Sequence, residues 1–278
     1  MRFVWQFLAV VVMFAITGSA VSAVKDNDWL SLVVGLTSAA LAILVYAWVV
    51  RRTEHRAAPD VAREGAVVKT GWGILIGVGM FGAVIANLYV AGHYEIDGLG
   101  SPAGAVGLVG FMAGAAVAEE VVFRGVLFRI IEERTGTYIA LVLTGIVFGL
   151  MHLFNENATL WGAIAIAIEA GFMLAAAYAA TRNLWVPIGV HFGWNYAAAG
   201  IFSTEVSGNG ASQGLLDTAT SGPELLTGGG FGPEGSVYAI GFGALLTVVF
   251  LWLAHRRGNI KPRSRRAVRV NSTATLPR

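Results

Sequence analysis

Eight apolar stretches, at residues 3–23, 29–50, 71–92, 102–128, 138–154, 160–180, 184–201 and 237–254, fill most of this 278-residue chain. Each runs for about 20 residues, enough to cross a hydrocarbon core of roughly 30 Å as a helix. In lipid a spanning segment must satisfy its own backbone N–H and C=O groups. A chain written in such runs is therefore expected to be an all-α polytopic membrane bundle of about eight transmembrane helices. Composition agrees: 13% of residues are charged, against roughly 25% in a soluble domain. The 36 glycines read, in this setting, as close helix packing rather than as flexible linkers. There is no cysteine, which excludes disulfides and thiolate zinc sites.

The basic residues set the expected orientation. With eight spans and both termini cytoplasmic, 17 of the 19 Lys and Arg residues fall on the cytoplasmic side. Lys25 alone lies outside, and Arg124 lies within a span. Nine acidic residues fall in the external loops. The pI near 9 is thus topological information and not a nucleic-acid footprint. The expected location is the cell membrane, with several passes.

The first run begins at Arg2 and ends at Val21-Ser22-Ala23, which also fits a secretory signal with a small-residue cleavage site. Its length favours a retained first helix. The membrane domain is expected over residues 1–254. Residues 203–235, rich in Gly, Ser and Thr and without a basic residue, are expected to form a flexible external loop. Residues 255–278 are expected to be a basic cytoplasmic tail on anionic lipid.

Charge within a span costs at least about 2.5–3.5 kcal/mol, so the few such residues point to work. They are Glu119, Glu120, Arg124, His152, Glu169 and His191, with Asn195 one turn beyond His191. Glu120 and Arg124 are i,i+4 neighbours and are expected to pair. Glu119 points about 100° away from that pair and is left for chemistry. His191 and Asn195 share a face, as do Phe148 and His152. A hairpin turning near Thr135-Gly136-Thr137 brings Glu119 and His152 to one level. His191 reaches that level only if the hairpin projects further into the cytoplasm. Glu169 is expected either to pair with Arg124 or to line a cavity. Gly110, Gly114 and Ala118 form a small-residue stripe for close helix approach.

Glu119-Glu120-Val121-Val122-Phe123-Arg124 has the form EExxxR, Phe148 to His152 the form FxxxH, and His191 to Asn195 the form HxxxN. In this order, on consecutive apolar helices, the three motifs resemble the CPBP family. These are the CAAX-processing and bacteriocin-processing intramembrane proteases, also called Abi. The resemblance spans about residues 113–199, within an expected protease core at about 102–201. It implies an endopeptidase that cuts membrane-associated peptide or protein substrates, of CAAX type or of peptide and bacteriocin type. It implies that Glu119 and His152 activate a water while His191 and Asn195 stabilise the oxyanion. Glu120, Arg124 and Phe148 would support the site.

Peptide hydrolysis needs such a base and such donors. No Ser or Cys stands in a nucleophile setting beside these histidines. A divalent metal such as zinc, if held, would fall to Glu119, His152 and His191, although HExxH is absent. Two other classes stay open. Intramembrane acids and histidines also build proton-coupled transporters, though no duplicated half is evident. A noncatalytic membrane scaffold of the same architecture is the third.

Overall fold

The structure is a computed structural model that describes residues 2–210 and 213–263; most of the expected basic tail, residues 264–278, lies outside them. Helices α1 (Arg2–Ser22), α2 (Asp28–Glu54) and α3 (Ala66–Val90) come first, followed by strand β1 (Tyr94–Leu99). Helix α4 (Pro102–Glu120) continues through a π turn, Val121–Phe128, into α5 (Arg129–Thr135). Together they form one rod of 34 residues. Beyond the turn at Gly136 (φ 84°) comes α6 (Thr137–Met151), closed by a 3-10 turn at His152–Phe154. Helix α7 (Leu160–Ile166), a second π turn at Ala167–Phe172, and α8 (Met173–Thr181) make the next rod. Helix α9 (Trp185–Asn195) runs into a third π turn, Tyr196–Ile201. Strand β2 (Leu216–Thr220), the short α10 (Glu224–Thr227) and α11 (Val237–Arg256) complete the order.

The all-α polytopic bundle is borne out. Among the described residues seven helices are long and apolar enough to cross a membrane. The eighth expected span is present as α9 and its π turn, 11 and 6 residues, and is the shortest of the set. Outward-facing Trp5, Leu44, Trp48, Leu75, Val147 and Trp252 are exposed, as side chains in contact with lipid would be.

Helix ends sort into two ends of the bundle. At one, which we call the loop end, Asn27, Ser101, Thr159 and Ser236 start α2, α4, α7 and α11. Each accepts from a backbone N–H of the first turn, at 2.9–3.1 Å. The first N–H groups of a helix have no intrahelical partner, and these side chains supply one. The two-stranded antiparallel sheet lies here too, pairing Tyr94 with Thr220 and Leu99 with Leu216, with a bulge at Asp97. At the other, basic, end α2 and α8 stop at His55 and Arg182, both left-handed at φ 53°. Arg51, Arg52 and Arg256 sit in the last helical turns there, where cations complement the helix dipole.

Glycines bring the rods together. A Cβ on Gly35 of α2 would collide with the backbone of Gly110 on α4, so the expected stripe on α4 does meet a helix. Gly189 and Gly193 press α9 in the same way onto Gly73 and Ile74 of α3. His191 and Asn195 occupy the opposite side of α9 and so face the bundle interior.

Candidate active site

Glu120 is the hub of the site floor. Its Oε1 accepts from Arg124 Nη1 at 2.7 Å and lies 2.9 Å from His191 Nδ1. A carboxylate oxygen can only accept, so that ring nitrogen carries the proton when Glu120 is ionised. The opposite ring nitrogen, Nε2, then points towards Glu119, 3.8 Å from Oε2. The two adjacent carboxylates therefore diverge, as the helical angle requires. Glu120 is fully buried; Glu119 keeps 22% side-chain exposure.

The π turns explain a second set of bonds. A π turn shifts hydrogen bonding to i→i+5 and releases carbonyls from the usual ladder. Arg124 Nη2 donates to two carbonyls in the Ala167–Phe172 turn, Ala170 O and Gly171 O, each at 3.0 Å. Its guanidinium also lies 4.7 Å from the centre of the Phe148 ring. Phe148 stands between the motifs: ring centres of His152 and His191 are 4.9 and 6.1 Å away. The three expected supporting residues thus form one layer linking α4, α6, the α7–α8 rod and α9.

His152 Nδ1 lies 2.8 Å from the carbonyl oxygen of Phe148. A carbonyl only accepts, so Nδ1 carries the hydrogen and Nε2 is the free basic nitrogen of the neutral ring. Glu119, His152, His191 and Asn195 all line one open cavity of about 860 Å³. Among the described residues the Asn195 amide makes no side-chain hydrogen bond to protein. The depth mismatch at His191 resolves as the hairpin reading requires. Arg182, in the turn before α9, binds Glu132 at 2.6 Å rather than the hairpin tip. The tip reaches past it to Lys261, whose carbonyl accepts from Thr137 N at 3.1 Å.

Glu169 does not pair with Arg124. It lines the cavity, is fully buried, and neither carboxyl oxygen has a hydrogen-bond partner among the described residues. Among the described residues no group of three or more His, Cys, Asp or Glu lies within metal-holding distance of one another.

Sequence reasoning missed Glu234. It stands in a glycine-rich loop with no periodic pattern to mark it, yet it is buried and lines the same cavity. It accepts from Trp194 Nε1 at 3.0 Å, and from Ser207 N at 2.6 Å and Ser207 Oγ at 2.8 Å. Burial pushes its carboxyl up, against the Ser207 bonds and the field of His152. Asp60 was likewise unmarked. At the basic end it accepts from Tyr178 at 2.8 Å and lies 3.2 Å from the Tyr46 hydroxyl.

A membrane helix bundle with paired Glu, His and Asn on one inner cavity is the architecture expected of an intramembrane protease. Residues 101–197 match the family described as "Type II CAAX prenyl endopeptidase Rce1-like", a stretch that contains all three motifs. The matched segment carries the three motifs that resemble the CPBP group. The chain is also 32% identical over 79 residues to a Bacillus subtilis (strain 168) protein named "Putative membrane peptidase YdiL". The alignment covers 28% of this chain and 30% of that relative. No solved structure matches the chain.

Proposed function

We propose that this protein is an intramembrane endopeptidase that hydrolyses peptide bonds of membrane-associated polypeptides with an activated water. The observation that carries the reading is the convergence of Glu119, His152, His191 and Asn195, from three separate rods, on one cavity. Glu119 takes a proton from water, and His152, with Nε2 free, holds that water by accepting its second hydrogen. The oxygen bonds to the peptide carbon. His191, protonated between the two carboxylates, and the Asn195 amide donate to the developing oxyanion. The C–N bond then breaks, and the proton taken by Glu119 passes to the leaving nitrogen. Each group is within the cavity, and no step calls for a metal. CAAX-type or peptide and bacteriocin-type substrates both fit the family, and the cell membrane is the expected location.

The transport reading fares worse on geometry. A proton or solute route needs to continue to the basic end, and there the rods are joined by Tyr46, Asp60 and Tyr178, and by Glu54 with Arg129, all buried.

The test is cleavage of a membrane-tethered peptide library by purified protein in proteoliposomes. Glu119→Gln should lower turnover at least about 100-fold, the lower range for losing a positioned general base. Asn195→Ala should cost about 100- to 1,000-fold in kcat, as for one oxyanion donor. Unchanged turnover in Glu119→Gln would remove the proposal.

A further inference from the structure

The cavity is not symmetric about the bundle. Besides the site residues its walls carry Ser22, Asp26 and Asp28 from the α1–α2 turn, Ser101 from the start of α4, and Asn209 and Gln213 from the segment before β2. All of these lie at the loop end. No residue of the 51–69, 129–137 or 181–185 segments lines it. Towards the basic end, beneath the lining residues, lie Glu120 and Arg124, 0% and 1% exposed.

Below that floor lies a second closed layer. Glu54 binds Arg129 at 2.7 Å and Gln6 at 2.8 Å, and Arg129 also donates to Gln6 Oε1 at 2.8 Å. Glu132 binds Arg182 at 2.6 Å and Lys261 at 3.1 Å. A peptide arriving from the basic end would have to open both layers. A smaller cavity of about 110 Å³ between α1, α2 and α4 also touches Glu119. Ligand cavities typically start near 300 Å³, so it admits one side chain and not a peptide.

Resting on the peptidase reading, we infer that the substrate enters at the loop end, and that the protein therefore takes polypeptide presented at the extracytoplasmic surface of the membrane. The inference joins two independent observations. One is the cavity, whose lining residues beyond the membrane-spanning rods all lie at the loop end. The other is the charge pattern, which puts the loops at the basic end, with Arg51, Arg52, Arg56, Arg63, Lys69 and Arg134, on the cytoplasmic side. The mouth bears Asp26 and Asp28 against Lys25, and three further carboxylates, Glu119, Glu169 and Glu234, line the depth. With Asp26 and Asp28 at its mouth, such a walled cleft favours basic segments over acidic ones.

The chain's lack of cysteine makes the test direct. Single substitutions Asn209→Cys and Gln213→Cys place a thiol at the mouth, and Arg63→Cys places one at the basic end; all three positions are exposed. Intact cells are treated with a membrane-impermeant maleimide. The mouth positions should label fully, and Arg63→Cys should label only after permeabilisation. The reverse pattern would overturn the extracytoplasmic assignment. In proteoliposomes, a bulky maleimide on Gln213→Cys or Asn209→Cys should cut cleavage at least tenfold, while one on Arg63→Cys should leave it unchanged. Full cleavage with both mouth positions blocked would overturn the entrance. Labelling needs no turnover, so an inert protein with the expected labelling pattern would defeat the peptidase reading and leave the orientation standing.

Discussion

Buried charge is handled in opposite ways at the basic end and in the cavity. At the basic end each buried acid has a cation or a pair of hydroxyls: Glu54 with Arg129 and Arg56, Glu132 with Arg182 and Lys261, Asp60 with Tyr178 and Tyr46. In the cavity Glu169 has no partner among the described residues. Glu119 has only a 3.8 Å contact with His191, and Glu234 is held by the neutral donors of Trp194 and Ser207. The first pattern fastens rods together and seals them. The second costs stability, because an unmade bond to a buried polar group leaves its desolvation uncompensated. Around a water-accessible space, such groups are the ones left free for the hydrolysis proposed above.

The contrast breaks most readily at Arg129. Arg129→Leu removes a guanidinium that serves Glu54, Gln6 and the Gly125 carbonyl. It leaves Glu54 with Arg56 and Gln6 alone, and breaking a buried pair from one side costs up to about 3–5 kcal/mol. Thermal unfolding in detergent should show a large drop. Glu169→Leu should behave oppositely. It deletes a carboxyl that bonds to nothing, so stability should hold or rise by up to about 1–3 kcal/mol. A loss at Glu169→Leu as large as that at Arg129→Leu would erase the distinction between the two regions.

The sequence made the rods legible because lipid imposes a length and a composition on every one of them. It also marked the candidate residues, since a charge in a twenty-residue apolar run has few innocent explanations; Glu119, His152, His191 and Asn195 do share a cavity. Other features carry no such mark. The π turn at Val121–Phe128 looks like ordinary helix in sequence, yet it lies between the site and Arg129 in the same rod. Glu54 and Glu132 stand at the ends of apolar runs, where an acid looks unremarkable, but α2 and α5 carry them into ion pairs with Arg129 and Arg182. The sheet was unreadable for a simpler reason: β1 is six residues of mixed polarity, and its partner lies more than a hundred residues away. Glu234 was hidden by its loop, where composition says only that the chain bends.

Glu234 offers the finest test of the comparison, because it is a cavity carboxyl lying outside the apolar spans. Burial raises its pKa on folding, so the native state holds its proton more tightly than the unfolded chain does. A carboxyl of this kind contributes its stabilisation in full below the unfolded value, about 4.3. It loses that contribution as pH rises through the folded value. The slope from one such group is at most about 1.4 kcal/mol per pH unit. The parent protein should therefore lose stability with rising pH in that window relative to Glu234→Gln, in which the group no longer titrates. Unfolding temperatures of the two, recorded in the same detergent across the window, give the difference directly. Parallel curves would mean that the Ser207 and Trp194 bonds fully offset burial. Glu234 would then belong with the satisfied acids of the basic end, and the line between the two regions would run through the cavity itself.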